Sequence, residues 1–551
     1  MKKIFSILLA SIALSSCVDT VILPDNKVLD EDFWKKKTEV EAVSTAAYAQ
    51  LTNTTLVRNM IIWGDFRSDE LTINSTLPSS AKYKVPLDEI YSMNIQPDNE
   101  FTSWAPFYSA INYCNLVLEK AEGVIAEDPD YTQGDYQTTR SQMLALRAWC
   151  YFYLVRVFHD VPVTTGAYLE SSAEMNIAQK TPAEVLEMCI NDLKEAEENA
   201  PNNNAYSGMG KDDSWRDRGY FNKDGIDALL ADIYLWRASV NHDQSDYQQC
   251  VDYCSKVIAA KKAVHQLKFG ETESDYYLAS YDEMYSDIFS SEGNSEESIM
   301  EIQFKGTNAE LNALYNCYSG SSTGYLKTTQ TYARSNGSSN STNIFKNDYD
   351  QRRFDFTFGV GTDKEEYDVR KYVAISSANK LTAQDWSKTS MVHNWILYRL
   401  TDVMLMKAEA LVQLGQPEEA FNLCKAVNDR SITDANYALK YTTYRDRMEE
   451  LVLMERAREL CFEGKRWFDL MRYNYRHMEG VNYNALLADM DNYPKNSDAF
   501  YNIALTKYSV PAAMKAKMPT EPYLYMPINE EEVKLNTSLK QNPVYVSTSS
   551  K

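Results

Sequence analysis

Apolar residues recur every three to four positions along much of the chain, which is the spacing that an amphipathic helix requires. Residues 104–121 show this pattern, with Phe107, Ile111 and Cys114 on one face of the predicted helix. Residues 137–158 are apolar on nearly every side in their second half, so that helix is predicted to lie in the protein interior. The pattern therefore predicts a mainly helical fold.

Two stretches predict helix pairs joined by short turns. Residues 225–238 pair with 247–258, and residues 395–414 pair with 418–427, where Leu-Gly-Gln-Pro makes the turn. Such units resemble tetratricopeptide pairs, although bare αα-hairpins would give the same signal.

Helix ends and one strand are also indicated. Pro162 stops the helix before it, because proline disfavours helical geometry in the preceding residue. Thr181 and Pro182 open the next helix with a cap and a first-turn proline. Residues 297–304 are consistent with a short strand.

Irregular stretches lie between the helices. Residues 64–103, 202–222 and 262–394 are rich in Ser, Asn, Gly, Asp and Tyr, and their periodicity is weak. Long segments of this kind in a compact protein usually carry function.

The first residues predict export. Lys2 and Lys3 precede an apolar run, residues 4–14, which is too short to cross a bilayer. Residues 1–16 therefore form a predicted signal peptide. Cys17 follows two serines, as in a bacterial lipoprotein box, so we expect it to carry a lipid anchor. A plain signal peptide with an incidental cysteine is the alternative.

Composition narrows the class of ligand. The net charge of −22 opposes binding to nucleic acid and favours a neutral ligand. The chain has five histidines, which are scattered, and its later cysteines lie in apolar helical patterns. We therefore expect buried structural thiols, no metal site and no cofactor.

One C-terminal segment is specific enough to indicate a family. Residues 455–470 read ERARELCFEGKRWFDL, which resembles the signature of the SusD/RagB family. Residues that match other motifs of the family occur in the same order along this chain. They are Trp104, Phe107, Tyr108, Asn112 and Asn115; Leu146, Arg147, Ala148, Phe158 and 160–162; Arg399 and 406–410; Pro527, Ile528, Asn536 and 541–543. His159 departs from the pattern, since relatives usually carry glycine there.

The resemblance implies an architecture and a function. It implies a mainly α, SusD-like fold on tetratricopeptide-like helix pairs, with long irregular loops and a few short strands. We expect an N-terminal part, residues 17–225, and a C-terminal part, residues 226–551, packed as one globular unit. The implied protein is an outer-membrane lipoprotein, exposed at the cell surface, that passes glycans to a SusC-type TonB-dependent transporter. RagB-like members imply a peptide ligand as the alternative.

No enzyme is predicted. Arg and Glu alternate through residues 455–469 at the spacing of helical ion pairs, which we favour over a catalytic role for Glu455 or Glu463. Residues 320–324 match G-x-S-x-G, but their flanks lack the strand and helix that a nucleophile elbow needs. A surface hydrolase is therefore the least favoured alternative.

Sugar rings pack on aromatic faces while their hydroxyls need polar partners, so candidate ligand residues are sought in the irregular stretches. In the family, known sugar sites follow the segment that is Gly64-Asp65…Ser68-Asp69-Glu70 here, or precede the last helix pair. The candidates are Lys82, Tyr83, Tyr91 and Asn94 in the first loop, Tyr315, Asn316, Tyr318 and Tyr325 in the second, and Trp386 and Trp215 in reserve.

Overall fold

The structure is a computed structural model. It describes residues 33–168, 176–206, 215–270, 275–289, 293–304, 313–318, 324–329, 331–332, 344–345, 349–358, 368–372, 393–478, 517 and 520–546. Cys17 and Trp386 lie outside these ranges.

Helices dominate the described residues, as predicted. The helices are α1 (Lys37–Ala49), α2 (Thr54–Ile61), α3 (Lys84–Tyr91), α4 (Ala105–Lys120), α5 (Val124–Glu127), α6 (Gln133–Phe158), α7 (Pro182–Glu198), α8 (Arg216–Gly219), α9 (Lys223–Asn241), α10 (Gln244–Phe269), α11 (Tyr281–Met284), α12 (Leu314–Tyr318), α13 (Arg352–Asp355), α14 (Leu400–Gln413), α15 (Pro417–Ser431), α16 (Tyr441–Tyr444), α17 (Met448–Leu460), α18 (Arg466–His477) and α19 (Glu530–Leu535). The strands are β1 (Leu71–Ile73), β2 (Val161–Pro162), β3 (Gln179–Lys180), β4 (Ser298–Ile302), β5 (Leu326–Thr328), β6 (Thr357–Phe358), β7 (Asp368–Val369) and β8 (Trp395–Arg399).

Local capping chemistry sets several helix ends. Thr181 caps α7 by accepting a hydrogen bond from the backbone N–H of Glu184, and Pro182 occupies the first helical position, as predicted. The helix α6 stops at Phe158. The next residue, His159, has a φ of +71°, a region that favours glycine. This geometry explains why a glycine suits the turn in relatives.

The predicted helix pairs form, with one correction. The helices α9 and α10 pack together, as do α14 and α15, and Gly415 makes the second turn with a φ of +73°. Residues Trp395–Arg399, predicted as the start of a helix, instead form strand β8. A buried apolar run of this length does not distinguish the two structures by periodicity, and its pairing partner decides between them.

The pairing partner of strand β8 is β4, which confirms the strand predicted within residues 297–304. The strands β4 and β8 are antiparallel and buried throughout. A second antiparallel ladder joins β1 to β5, with Leu71 opposite Thr328 and Ile73 opposite Leu326. It joins two stretches that were predicted to be irregular.

A buried network of ion pairs holds the C-terminal motif. Arg352 contacts Glu455 at 2.8 Å and Glu459 at 3.0 Å, and Arg399 contacts Glu459 and Glu463 at 2.7 Å each. Burial opposes ionisation, but the neighbouring cations hold the pKa of Glu455 and of Glu463 below its usual value. Glu455 also pairs with Arg458 at the predicted helical spacing, which confirms that pair. The other cationic partners of these glutamates come from distant segments: Arg352, Lys371, Arg399 and Arg430.

The core contains residues from both predicted parts of the chain. Cysteines described by the structure are buried and free, as predicted for structural thiols. The division expected between residues 225 and 226 falls in the first turn of α9, and it stays a prediction. Within the described ranges, no helix has the length and apolar character needed to cross a membrane.

Candidate functional site

The segment before the first candidate loop is docked on the C-terminal motif. Asp65 Oδ2 accepts a hydrogen bond from the backbone N–H of Gly464 at 2.9 Å, and Glu70 Oε2 accepts one from that of Phe462 at 3.1 Å. The two backbones are so close that a Cβ on Gly64 would lie 2.0 Å from the carbonyl oxygen of Gly464. This contact fixes the start of β1.

Two carboxyl groups of that segment are buried inside the protein. Burial raises the pKa of Asp65 to about 7, against the hydrogen bond from Gly464, and burial also raises the pKa of Glu70 well above its usual value. Among the described residues, the remaining oxygens, Asp65 Oδ1 and Glu70 Oε1, are buried without a hydrogen-bond partner. Both carboxyl groups lie in the protein interior beneath the candidate loops and are shielded from solvent.

The β1–β5 ladder brings the two candidate loops together. Beyond the ladder, Asn74 donates its backbone N–H to the carbonyl of Tyr325 at 2.8 Å and its side-chain amide to that of Gly324 at 2.8 Å. The backbone N–H of Tyr325 donates to the carbonyl of Asn316 at 3.1 Å. Candidates far apart in the sequence thus share one surface.

Two predicted tyrosines meet on this surface. The rings of Tyr83 and Tyr325 have centroids 4.9 Å apart and planes at 69°, an edge-to-face contact. Phe101 lies 5.6 Å from Tyr83 on another side. Both tyrosines are half-buried, so packing holds their orientation while part of each ring remains accessible.

Charged groups surround the tyrosine pair. Arg58 donates from Nη1 to the Tyr83 hydroxyl at 2.7 Å, and its guanidinium lies 4.9 Å from the Tyr83 ring centroid. Glu100 accepts from Arg58 at 3.3 Å and pairs with Lys82 at 3.1 Å. The Lys82 side chain is 70% exposed, so it is available to a ligand. We call Arg58, Lys82, Tyr83, Glu100 and Tyr325 the tyrosine cluster.

Two first-loop candidates lie apart from this cluster. Tyr83 precedes α3, whereas Tyr91 ends it, and a helix of this length spans about 12 Å. Asn94 follows and accepts a hydrogen bond from Lys517 at 3.0 Å. The structure therefore places Tyr91 and Asn94 at the opposite end of α3 from Tyr83.

The second-loop candidates divide in the same way. Tyr315 is half-buried and Asn316 is exposed next to Tyr325. Tyr318 is fully buried, and its hydroxyl donates to Asp65 at 3.3 Å. The prediction that Tyr318 contacts a ligand is corrected, because its ring is enclosed in the protein interior. Trp386 lies outside the described residues.

The reserve candidate Trp215 lies elsewhere. Its ring packs against Tyr220 at 5.4 Å, next to α8.

Arg58 and Glu100 belong to the tyrosine cluster but were not predicted as candidates from the sequence. Glu100 lies in the irregular stretch of residues 64–103, where candidate ligand residues were sought, so its position in the sequence could have indicated it. Arg58 lies in helix α2 among apolar residues, and only the tertiary contact with Tyr83 reveals it.

The described residues contain no group of three His, Cys, Asp or Glu side chains suited to a metal ion. Residues 320–323 of the G-x-S-x-G match lie outside the described ranges. Of the histidines considered with that match, His393 is buried and His477 lies 3.0 Å from Glu449.

Comparisons with known proteins agree with this architecture. A family model described as "SusD family" matches residues 275–545, and one described as "Starch-binding associating with outer membrane" matches residues 22–211. SusD-like protein P38 of Formosa agariphila is 26% identical over 493 residues, which cover 85% of this chain and 90% of that protein.

Solved structures show the same fold. A SusD homolog from Bacteroides thetaiotaomicron aligns with a TM-score of 0.68 at 18% identity, covering 93% of this chain and 98% of its own. Surface glycan-binding protein A from Bacteroides uniformis aligns with a TM-score of 0.66 at 18% identity, covering 92% and 99%. The motif resemblance, the two family models and the shared fold lead to one conclusion: this chain belongs to the SusD/RagB family.

Proposed function

We propose that this protein binds glycans at the cell surface and delivers them to a SusC-type TonB-dependent transporter without chemistry of its own. The names of its relatives support the first half of the proposal, since they include a surface glycan-binding protein and a putative sugar binding protein. A matched family model described as associating with the outer membrane supports the location. The lipid on Cys17 and the transporter partner are carried over from the family.

The tyrosine cluster is the observation that carries the proposal. Tyr83 and Tyr325 offer ring surface for the C–H faces of a pyranose, while Lys82, Glu100 and Asn316 offer polar groups for its hydroxyls. Burying one sugar face contributes on the order of 1–2 kcal/mol. A few such contacts give affinities of roughly micromolar to millimolar, weak enough for release to a transporter.

Native affinity gels with soluble starch, laminarin, xylan and pectin would test the proposal, followed by calorimetry with oligosaccharides of any polymer that slows the protein. Tyr83→Ala and Tyr325→Ala should abolish binding while each variant still unfolds in one cooperative thermal transition, at a somewhat lower midpoint because packing is lost. Tyr91→Ala, at the far end of α3, is the matched control. Undiminished binding by both cluster variants would reject this site.

The same preparations separate the alternatives. Calorimetry with peptide mixtures would reveal a RagB-like peptide binder, and release of reducing sugar from the polymers would reveal a hydrolase. Either result in place of glycan binding would overturn the proposed function.

A further inference from the structure

A second aromatic pair lies on the surface, formed by Tyr349 and Tyr437. Their ring centroids are 4.2 Å apart and their planes are 24° apart, so the rings are stacked. Tyr349 is 38% exposed and Tyr437 is 46% exposed. Every other Phe, Tyr or Trp ring in the part of the chain whose side chains are described is buried or half-buried. The two most exposed rings of this part are therefore stacked on each other.

Backbone pairing sets the position of this stack. An isolated antiparallel bridge joins Asp350 to Ile432. On either side of it, Thr433 donates its N–H to the carbonyl of Tyr349 at 2.9 Å, and Gln351 donates to that of Ser431 at 3.0 Å. The two rings are thus held by the paired backbone of two segments.

The same segments connect to the buried ion-pair network. Arg352, two residues after the bridge, is fully buried and contacts Glu455 and Glu459 of α17. A ring pair attached to such a frame loses little conformational freedom when it binds a ligand, so more of the contact energy remains for binding.

Polar side chains lie next to the stack. Thr433 and Asn436 are exposed, and Asp434 accepts hydrogen bonds from the backbone and side-chain N–H groups of Asn436 at 2.9 Å each. Hydroxyl, amide and carboxylate groups next to an exposed aromatic face are the groups that a saccharide needs.

We propose that Tyr349 and Tyr437 form a second saccharide-binding platform, which takes pyranose rings of the same polymer that the tyrosine cluster binds. This inference rests on the proposed function. The platform shares no residue with the tyrosine cluster, and the inference includes that one long chain engages both. The second contact then acts at a high effective concentration and strengthens polymer binding, whereas a short oligosaccharide gains nothing from it.

The test uses the full-length protein purified in detergent, with soluble starch, laminarin, xylan and pectin and short oligosaccharides of each. For the polymer that binds, Tyr437→Ala and the double variant Tyr349→Ala/Tyr437→Ala should bind about tenfold more weakly. Their affinity for the short oligosaccharide should match the wild type. Tyr437→Phe should retain polymer binding, because the ring remains.

Leu535→Ala is the control for loss of exposed apolar surface, since Leu535 is 71% exposed and lies in α19. Thermal unfolding checks that the variants fold. The single Tyr437 variant keeps the test valid if the change at Tyr349 disturbs the backbone bridge.

Each other outcome overturns the inference in a distinguishable way. If the wild type binds a polymer and the double variant binds it equally well, the platform is rejected and the proposed function stands. If the variants keep polymer binding but lose co-purification with a membrane protein, the stack is a protein contact instead. If the wild type binds none of the polymers, the proposed function fails and the platform fails with it.

Discussion

Asp69 and Arg466 connect an N-terminal segment of the chain to its C-terminal motif. Both side chains are buried, and Arg466 donates to the two carboxylate oxygens of Asp69 at 2.8 and 3.1 Å. Asp69 belongs to the segment that leads into β1, and Arg466 opens α18 within the C-terminal motif. This bidentate pair therefore connects the segment before the first candidate loop to the C-terminal motif that carries the buried network of ion pairs.

Breaking this pair should be costly, because the partner left behind is an uncompensated buried charge. We expect Arg466→Met to lower the free energy of unfolding by about 3–5 kcal/mol, measured by urea denaturation. Arg445→Met is the matched control: Arg445 pairs with Asp446 in solvent, and exposed pairs contribute at most about 1 kcal/mol. Equal losses for the two variants would contradict the assigned role of Arg466.

The close approach of Gly64 to Gly464 should tolerate no side chain. Gly64→Ala places a Cβ 2.0 Å from a backbone oxygen, so we expect the variant to lose more than about 3 kcal/mol of stability or to fail to fold. A Cβ on Gly123 would meet nothing within 4 Å, and its φ of −60° suits alanine. Gly123→Ala should therefore unfold at or slightly above the wild-type midpoint. A stable Gly64→Ala protein would show that the backbones of Gly64 and Gly464 are further apart.

The raised pKa of buried Asp65 should make stability depend on pH. The pKa of Asp65 is about 7 in the folded protein and near 3.8 when unfolded, so the folded state binds more protons between these values. This contribution is fully present below pH 3.8 and is lost as the pH rises through 7. Relative to Asp65→Asn, the wild type should lose about 2.5 kcal/mol between pH 5 and pH 8.

Urea unfolding at a series of pH values measures that difference. Asp128→Asn is the control. Hydrogen bonds from the Lys37 and Asp130 backbones lower the pKa of Asp128, so this group changes the free energy of unfolding only at a more acidic pH. Parallel curves for the wild type and Asp65→Asn between pH 5 and pH 8 would show that the pKa of Asp65 is not raised in the folded protein.

The charge on Glu100 should select between neutral and acidic sugars. Glu100 neutralises one of the two cations, Arg58 and Lys82, next to the tyrosine pair. Glu100→Gln leaves both cations uncompensated, so we expect several-fold tighter binding of uronic-acid oligosaccharides and little change for neutral ones. The gain should shrink in high salt, because mobile ions screen exposed charges.

Calorimetry at low and high salt measures this preference. Glu531→Gln removes the same charge in α19, where Glu531 pairs with Lys534 at 2.7 Å, and it should leave both affinities unchanged. An equal gain in that variant would assign the effect to net charge rather than to the tyrosine cluster.

Much of the architecture follows from local sequence. The cap at Thr181, the break before Pro162 and the turn at Gly415 depend on a few neighbouring residues, so the sequence by itself determined these helix ends. The alternation of Arg and Glu through residues 455–469 likewise indicated ion pairs, because their charge must be compensated once the helix is buried.

Only the tertiary structure decided which distant groups meet. Trp395–Arg399 is a strand because β4 pairs with it, and Tyr318 is buried because the frame around Asp65 encloses it. The contact of Tyr83 with Tyr325 depends on the β1–β5 ladder, as the stack of Tyr349 on Tyr437 depends on the Asp350–Ile432 bridge. Long-range backbone pairing leaves no mark in the local spacing of residues, so the sequence named candidate tyrosines while the fold determined which of them share a surface.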